Sequence, residues 1–338
     1  DILAVDAQID SDVTVDGSAQ ITNFEVLQIE ADVAYDLDGY DWVEQINLNA
    51  DIGGGGAARV IDNIAGTTTT NLIVSVTDAE LSHVDAGGVG TQSISASIGG
   101  DATVTATTLT IDGVENISIE STGEAANTIT AMENDTLRTL TITGDQDLTI
   151  TAENIADGVA ASAFTGGLDI DLSAQTNAIA VVTGSGDDTV TIDTVDALAH
   201  DVTTGAGSDT IEILNVNGGA TETIANRIQI SDFTVGDTGD TLDLSSGAGT
   251  IATDAELADI QTAVDALASG SSVTDALNAA IGAFTGAAND VYHFEFGGST
   301  FVVYEEGTDA AAFDDGQDFV IELTGTTGFT AADDLALV

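Results

Sequence analysis

Apolar and polar residues alternate along most of this chain with a period of two, in runs too short for helices. Ile21-Thr22-Asn23-Phe24-Glu25-Val26-Leu27-Gln28-Ile29 is one such run, and Ile111 to Ile119 repeats it in kind. Asn71 to Val76, Ala102 to Thr107, Leu140 to Asp145 and Leu148 to Thr151 follow the same rule. Alternation puts every second side chain on one face of a strand, and turn residues such as Asp16-Gly17 separate the runs. No single run can bury its apolar face alone, so irregular repetition over residues 1–160 predicts stacked units, either a β-solenoid or a stacked β-sandwich. The period becomes helical only between Thr253 and Phe284. There Leu257, Ile260, Val264 and Leu267 form one stripe, Thr253 and Asp254 can cap it, and Gly270 separates a second helix over Val273–Ile281. Strands resume at Val291–Phe296 and Thr300–Tyr304 across a Gly297-Gly298 turn. The expected class is all-β, a β-solenoid or β-roll or a stacked sandwich, with a small helical hairpin near the C-terminus.

Two stretches within this pattern carry candidate chemistry. Gly184-Ser185-Gly186-Asp187-Asp188-Thr189-Val190-Thr191-Ile192 and Gly205-Ala206-Gly207-Ser208-Asp209-Thr210-Ile211-Glu212-Ile213 both read G-x-G-x-D followed by an alternating strand, and they begin 21 residues apart. Glycine permits the backbone to turn carbonyls inward, and the aspartate adds a carboxylate. Ca²⁺ takes six to eight oxygens, so one turn cannot fill its shell but stacked turns can. Gly184, Gly186, Asp187, Asp188, Gly205, Gly207 and Asp209 are therefore candidate calcium ligands. Asp169 and Asp171 belong to a degenerate upstream copy, and Asp237 and Asp240 to a downstream run of carboxylates. Asp36, Asp38 and Asp41 surround a glycine turn without the distal Glu of an EF-hand. The same residue types also suit metal-free turns, because Gly and Asp are favoured there in any case.

At these residues the chain resembles the calcium-binding, glycine- and aspartate-rich repeat proteins of the RTX group, exported by type I secretion, and the bacterial surface-layer proteins that carry such modules. Thr183 and Thr204 stand where the family's nonapeptide has its first glycine. The stretch Ile230-Ser231-Asp232-Phe233 through Gly236-Asp237 to Asp240-Thr241-Leu242-Asp243-Leu244-Ser245 is similar to the phrase that closes the calcium roll in that group. The end of the chain, through Phe319-Val320-Ile321-Glu322-Leu323-Thr324-Gly325, resembles the group's carboxy-terminal export region. The resemblance implies an irregular β-rich region over 1–160, a calcium roll over 161–245, and a helical hairpin plus export-like β region over 246–338.

Charge narrows the function classes. The chain of 338 residues carries 58 acidic and 3 basic residues, with no Lys, Cys or Pro. It should repel nucleic acid and anionic membranes and gather cations. No apolar run approaches the ~20 residues of a membrane span. Enzyme signatures are missing: His83, His200 and His293 form no H-E-x-x-H, there is no G-x-S-x-G, and aromatic platforms are scarce. The expectation is a non-enzymatic, secreted, calcium-dependent structural protein that assembles with itself into a bacterial surface layer or extracellular filament. A cell-surface glycan or lipopolysaccharide is a further expected partner. The competing expectation is a calcium-stabilised adhesin or an ice- or glycan-binding module. Thr103-Val104-Thr105 and Thr141-Ile142-Thr143 would suit such a face, although strand propensity accounts for them as well. The apolar Ile2 to Val5 at a free end suggests a strand donated to a neighbouring copy.

Overall fold

The computed structural model describes residues 2–5, 25–31, 34–37, 43–51, 59–88, 91–194, 198–215, 224–236, 238–244, 249–287, 289–305, 313 and 318–337. Of the architectures that the alternation left open, the β-solenoid is the one formed. The chain divides into two compact units, residues 1–171 and 172–338.

In the first unit, consecutive strands fall mostly in alternate sheets, so each coil contributes one strand to each. One sheet orders Ile2–Val5, Val26–Ile29, Gln45–Leu48, Thr69–Leu72, Ser93–Ile98, Asn116–Ser121, Thr139–Gly144 and Gly158–Ala160. The other orders Tyr35–Asp36, Arg59–Ile64, Val76–His83, Thr105–Thr110, Asn127–Glu133, Leu148–Ala152 and Leu168–Asp171. The described strands of both sheets pair in parallel, which stacks like on like. Leu27, Ile46, Thr70, Ala96, Ile119 and Ile142 make one inward column, each in register with the next. All six are buried, and each large aliphatic member contributes about 1.5–3 kcal/mol by leaving water. Thr70 is the discord: its hydroxyl is buried in that column without a hydrogen-bond partner. Ile2–Val5 pairs in parallel with Val26–Ile29 of its own chain. One edge of Ile2–Val5, the strand that the sequence suggested is donated to a neighbouring copy, is thus paired within its own chain, at the end of the sheet order.

Tight corners depend on glycine where coils touch. A Cβ on Gly144 (φ 114°) would stand 2.0 Å from the carbonyl oxygen of Ser121 one coil away. No other residue fits such a contact at positive φ.

The second unit begins with the same construction. Ala180–Val182, Asp201–Thr203, Ile228–Ser231 and Phe319–Thr324 stack in parallel. Thr189–Asp193, Thr210–Leu214, Thr241–Asp243 and Leu335–Ala336 do the same. The first of these sheets then turns antiparallel through Ser299–Glu305 and Asp290–Phe296. Gly297 and Gly298 join that pair with φ of 64° and 89°, the two positive values a tight hairpin needs. Helices Asp254–Asp265 and Val273–Ala283 each start with a complete capping box, Thr253 with Glu256 and Ser272 with Asp275. Ile260, Val264, Leu277 and Ala280 pack with Phe284, Tyr292, Phe294 and Phe301 in one apolar cluster. Among the described residues no helix is long and apolar enough to cross a membrane.

Replacing Thr70 with Val keeps the shape and removes the unpaired hydroxyl, so stability should rise by about 1 kcal/mol. Ile142→Ala in the same column should lower it by about 2–5 kcal/mol. Urea unfolding followed by circular dichroism reads both. A destabilised Thr70→Val protein would mean that the hydroxyl has a structural use.

Candidate functional site

The two G-x-G-x-D copies lie on successive coils. Thr189 pairs with Thr210, Val190 with Ile211 and Ile192 with Ile213, so the 21-residue interval is one turn of the solenoid. The glycines sit where the turns press together. A Cβ on Gly205 (φ 88°) would lie 2.0 Å from the Gly184 carbonyl oxygen, and one on Gly207 (φ 156°) 2.1 Å from that of Gly186. Glycine here admits the carbonyls of the neighbouring coil, and the Ala206 amide donates to the Gly184 oxygen at 3.0 Å.

Each motif aspartate faces inward just before a core strand. Asp188, Asp209 and Asp240 precede Val190, Ile211 and Leu242 by two residues, and all three are no more than 2% exposed. Stacking makes them a column bound by backbone amides. The Asp188 amide donates to Asp209 Oδ1 at 2.8 Å, and the Asp209 amide to Asp240 Oδ1 at 3.0 Å. The second carboxylate oxygen normally closes its own turn: Gly184 N–H donates to Asp188 Oδ2 at 3.1 Å and Thr234 N–H to Asp240 Oδ2 at 2.7 Å. Asp209 lacks that closure. The equivalent amide, Gly205 N–H, donates instead to Asp232 Oδ2 at 3.0 Å, while Thr204 N–H donates to Asp232 Oδ1 at 3.1 Å. Asp209 Oδ2 is left buried without a hydrogen bond of ordinary geometry, although the Thr204 hydroxyl lies close enough to Asp209 to favour its charged form.

The column is electrostatically expensive. Ionised carboxylates one strand spacing apart, about 4.8 Å, repel by roughly 3 kcal/mol at an effective dielectric near 20. A hydrogen bond to a charged group returns only about 1.5–3 kcal/mol. Burial accordingly pushes the Asp209 pKa up to about 7, against the Asp188 amide and the Thr204 hydroxyl, with the charges of Asp240 and Asp188 adding to the rise. Burial raises Asp240 too, against the amides of Thr234 and Asp209, and the charges of Asp232 and Asp334 add to it. Among the described residues the two arginines whose side chains are placed are engaged elsewhere, Arg138 with Asp157 and Arg227 with Glu322. A proton or a cation is what such a column lacks.

The first unit offers an internal comparison. Asn127 holds the inward position two residues before Ile129, as Asp209 does before Ile211. Its Oδ1 accepts from Val104 N–H at 3.2 Å, as a motif carboxylate would. Its amide nitrogen then donates to the carbonyls of Ile98 and Thr122 and to Ser121 Oγ. An aspartate cannot make those donations. Asp209 has no hydrogens to offer at that position.

The remaining expected residues are scattered. Asp187 lies on the outside of its turn, with Oδ1 accepting from Ser208 N–H at 2.9 Å. Asp169 and Asp171 line the outward face of Leu168–Asp171, where burial followed by the Asp171 charge raises the Asp169 pKa. Asp36 accepts from the Asn63 side chain at 2.7 Å. Asp38, Asp41 and Asp237 fall outside the described residues. No three His, Cys, Asp or Glu side chains converge as a metal-holding group among the described residues. Calcium would thus need the backbone carbonyls of these turns beside the carboxylates.

Sequence reasoning passed over Asp232, Asn127 and Asp334 as functional positions. Asp334 is fully buried and accepts from Gly236 and Thr330 N–H at 2.6 and 2.7 Å. Its signal was an acid directly ahead of a short apolar run, Asp334-Leu335-Ala336-Leu337. Asp232, at φ 63°, carried none beyond its place in the closing phrase. Compared with known proteins, the chain matches no family model and no curated protein.

The raised Asp209 pKa sets a pH dependence. Between its unfolded value of 3.8 and about 7, the folded state holds the extra proton, so this group's stabilisation falls as pH rises. His200, buried in the inward column with Ile179 and Ile228, has its pKa lowered from 6.5 to about 4 by burial. The unfolded chain binds that proton first, so its contribution rises with pH across about 4 to 6.5. Asp209→Asn removes only the first effect. In metal-free buffer the urea midpoint of the variant should gain on the wild type steadily from about pH 4 to pH 7.5, and a constant difference would contradict the assignment.

Proposed function

We propose that this is a secreted, calcium-dependent structural protein that assembles with itself into a bacterial surface layer or extracellular filament. One observation carries the proposal: the buried Oδ2 of Asp209 lacks the turn amide that Asp188 and Asp240 accept from, within a column of carboxylates that has no basic side chain paired to it among the described residues. Carboxylate oxygens suit a hard divalent cation. Asp209 with one adjacent carboxylate of the column, and turn carbonyls such as those of Gly184 and Gly186, are the groups that would hold it. Calcium there supplies positive charge that offsets repulsion in the column. The chain's formal net charge of −55 gives the second half of the proposal, since copies repel until cations accumulate between them. A repetitive solenoid is compatible with a structural role.

The dependence should differ between the units. Residues 93–171 stack Val104, Asn127, Leu148 and Leu168 at the position where 172–244 stacks aspartates. Hydrogen exchange of the full chain after EGTA treatment should therefore lose protection in strands Thr189–Asp193, Thr210–Leu214 and Thr241–Asp243 while Asn116–Ser121 and Thr139–Gly144 keep theirs. Equal loss in both would tie calcium to the whole fold instead.

The direct test follows circular dichroism, sedimentation and electron microscopy as millimolar calcium is added and then chelated. Ordered assemblies that form with calcium and dissolve with EGTA are expected. Asp209→Asn should raise the calcium needed for assembly by about tenfold, equivalent to about 1.4 kcal/mol. Full order and assembly after exhaustive chelation would refute the proposal.

A further inference from the structure

We infer that copies of this chain meet through the outward face of the first unit's Val26–Ala160 sheet. The inference rests on the self-assembly proposed above and adds the surface that performs it. Its basis is where the charge is missing. On that sheet Gln45, Thr69, Ser95, Ser118 and Thr141 form one outward column in register. Gln28, Asn47, Asn71, Ser97, Glu120 and Thr143 form a second, with Gln28 donating to the flanking Glu30, and Ser93, Asn116 and Thr139 a third. Within these strands Glu120 is the one outward carboxylate among the described residues.

The opposite sheet of the same unit has the same backbone geometry and the reverse charge. Asp36 and Asp62 stand in register there, and Asp78, Glu80, Glu133, Asp169 and Asp171 also point outward. Burial and the charges of Asp112, Asp62 and Asp78 raise the Glu80 pKa, a sign of crowding on that face. In a chain with 58 acids and 3 bases, one sheet almost free of charge is where another copy can approach without like-charge repulsion.

Shape and chemistry agree with a second copy as the occupant. The outward side chains are short, and strand spacing sets them in even rows, so two such faces can come close. Hydroxyl and amide groups both donate and accept, so the face is complementary to itself. Ladder bonds already order it: Gln45 Nε2 donates to Asn47 Oδ1 at 2.7 Å, and Asn71 Nδ2 to the same oxygen at 2.8 Å. Seven strands of up to six residues outline roughly 600 Å² per copy, below the ~800 Å² per partner of a standard stable interface. An area of that size suits a contact repeated in an array better than a lone dimer.

Three in-register substitutions test the face in the full chain with millimolar calcium. Ser95→Asp, Ser118→Asp and Thr141→Asp together should reduce the sedimenting assembled fraction at least tenfold. Thr105→Asp, Thr128→Asp and Thr149→Asp, an equivalent column on the acidic sheet, should leave it unchanged. Mixing the first triple variant with the matching triple Lys variant should restore assembly, which a misfolded protein could not do. Wild-type assembly that survives the first set, or is lost equally with both, overturns the inference and leaves the proposed function standing. Binding of dextran that the first set abolishes, with assembly intact, assigns the face to a neutral polysaccharide and also overturns it. A wild type that never assembles with calcium removes the proposed function and this inference together.

Discussion

Parallel, in-register stacking is the constraint on which this structure depends. Once one coil lies on the next, a residue's neighbours above and below are its own counterparts one turn away. An isoleucine then packs on an aliphatic column, as at Ile119 and Ile142, and the backbone ladder is satisfied from coil to coil. The rule serves apolar residues without cost, because like shapes interlock and no charge is repeated. It serves glycine as well, because the approach that excludes a Cβ at Gly144 recurs at Gly205 and Gly207.

For carboxylates the same rule creates a difficulty. Asp188, Asp209 and Asp240 are each brought within one strand spacing of the next, out of water, by the register that aligns Val190, Ile211 and Leu242. Backbone amides satisfy one oxygen of each, and the turn's first amide satisfies the second where it is free to do so. At Asp209 that amide is taken by Asp232. The imbalance is a consequence of local hydrogen-bond competition, and it leaves one buried carboxylate without the turn amide that its counterparts accept from. Asn127 meets an equivalent position with donors of its own.

The distribution of outward residues follows the same logic on the surface. Stacking turns a strand's polar positions into rows, so a choice between Ser and Asp is multiplied along a sheet. One sheet of the first unit accumulates hydroxyls and amides and the other accumulates carboxylates. The helical hairpin and the Gly297-Gly298 turn belong to a different regime. They are specified locally by capping boxes and by positive φ, and they pack by an apolar stripe.

Period-two alternation was sufficient to establish an all-β chain, because it depends only on which side of a strand each residue faces. The helices were equally legible, since capping residues and the Leu257, Ile260, Val264, Leu267 stripe act within a few residues of each other. The 21-residue spacing announced paired turns with aspartates at their ends. Whether those turns stack as a solenoid or face each other as a sandwich is a question of which strand lies beside which, and alternation is the same in both. The tertiary structure decided that, and with it the burial of Asp188, Asp209 and Asp240, the capture of the Gly205 amide by Asp232, and the pairing of Ile2–Val5 within its own chain. Each of these depends on a neighbour a full coil away, and a linear pattern contains residue types and intervals but not the hydrogen bonds that distant segments compete to make.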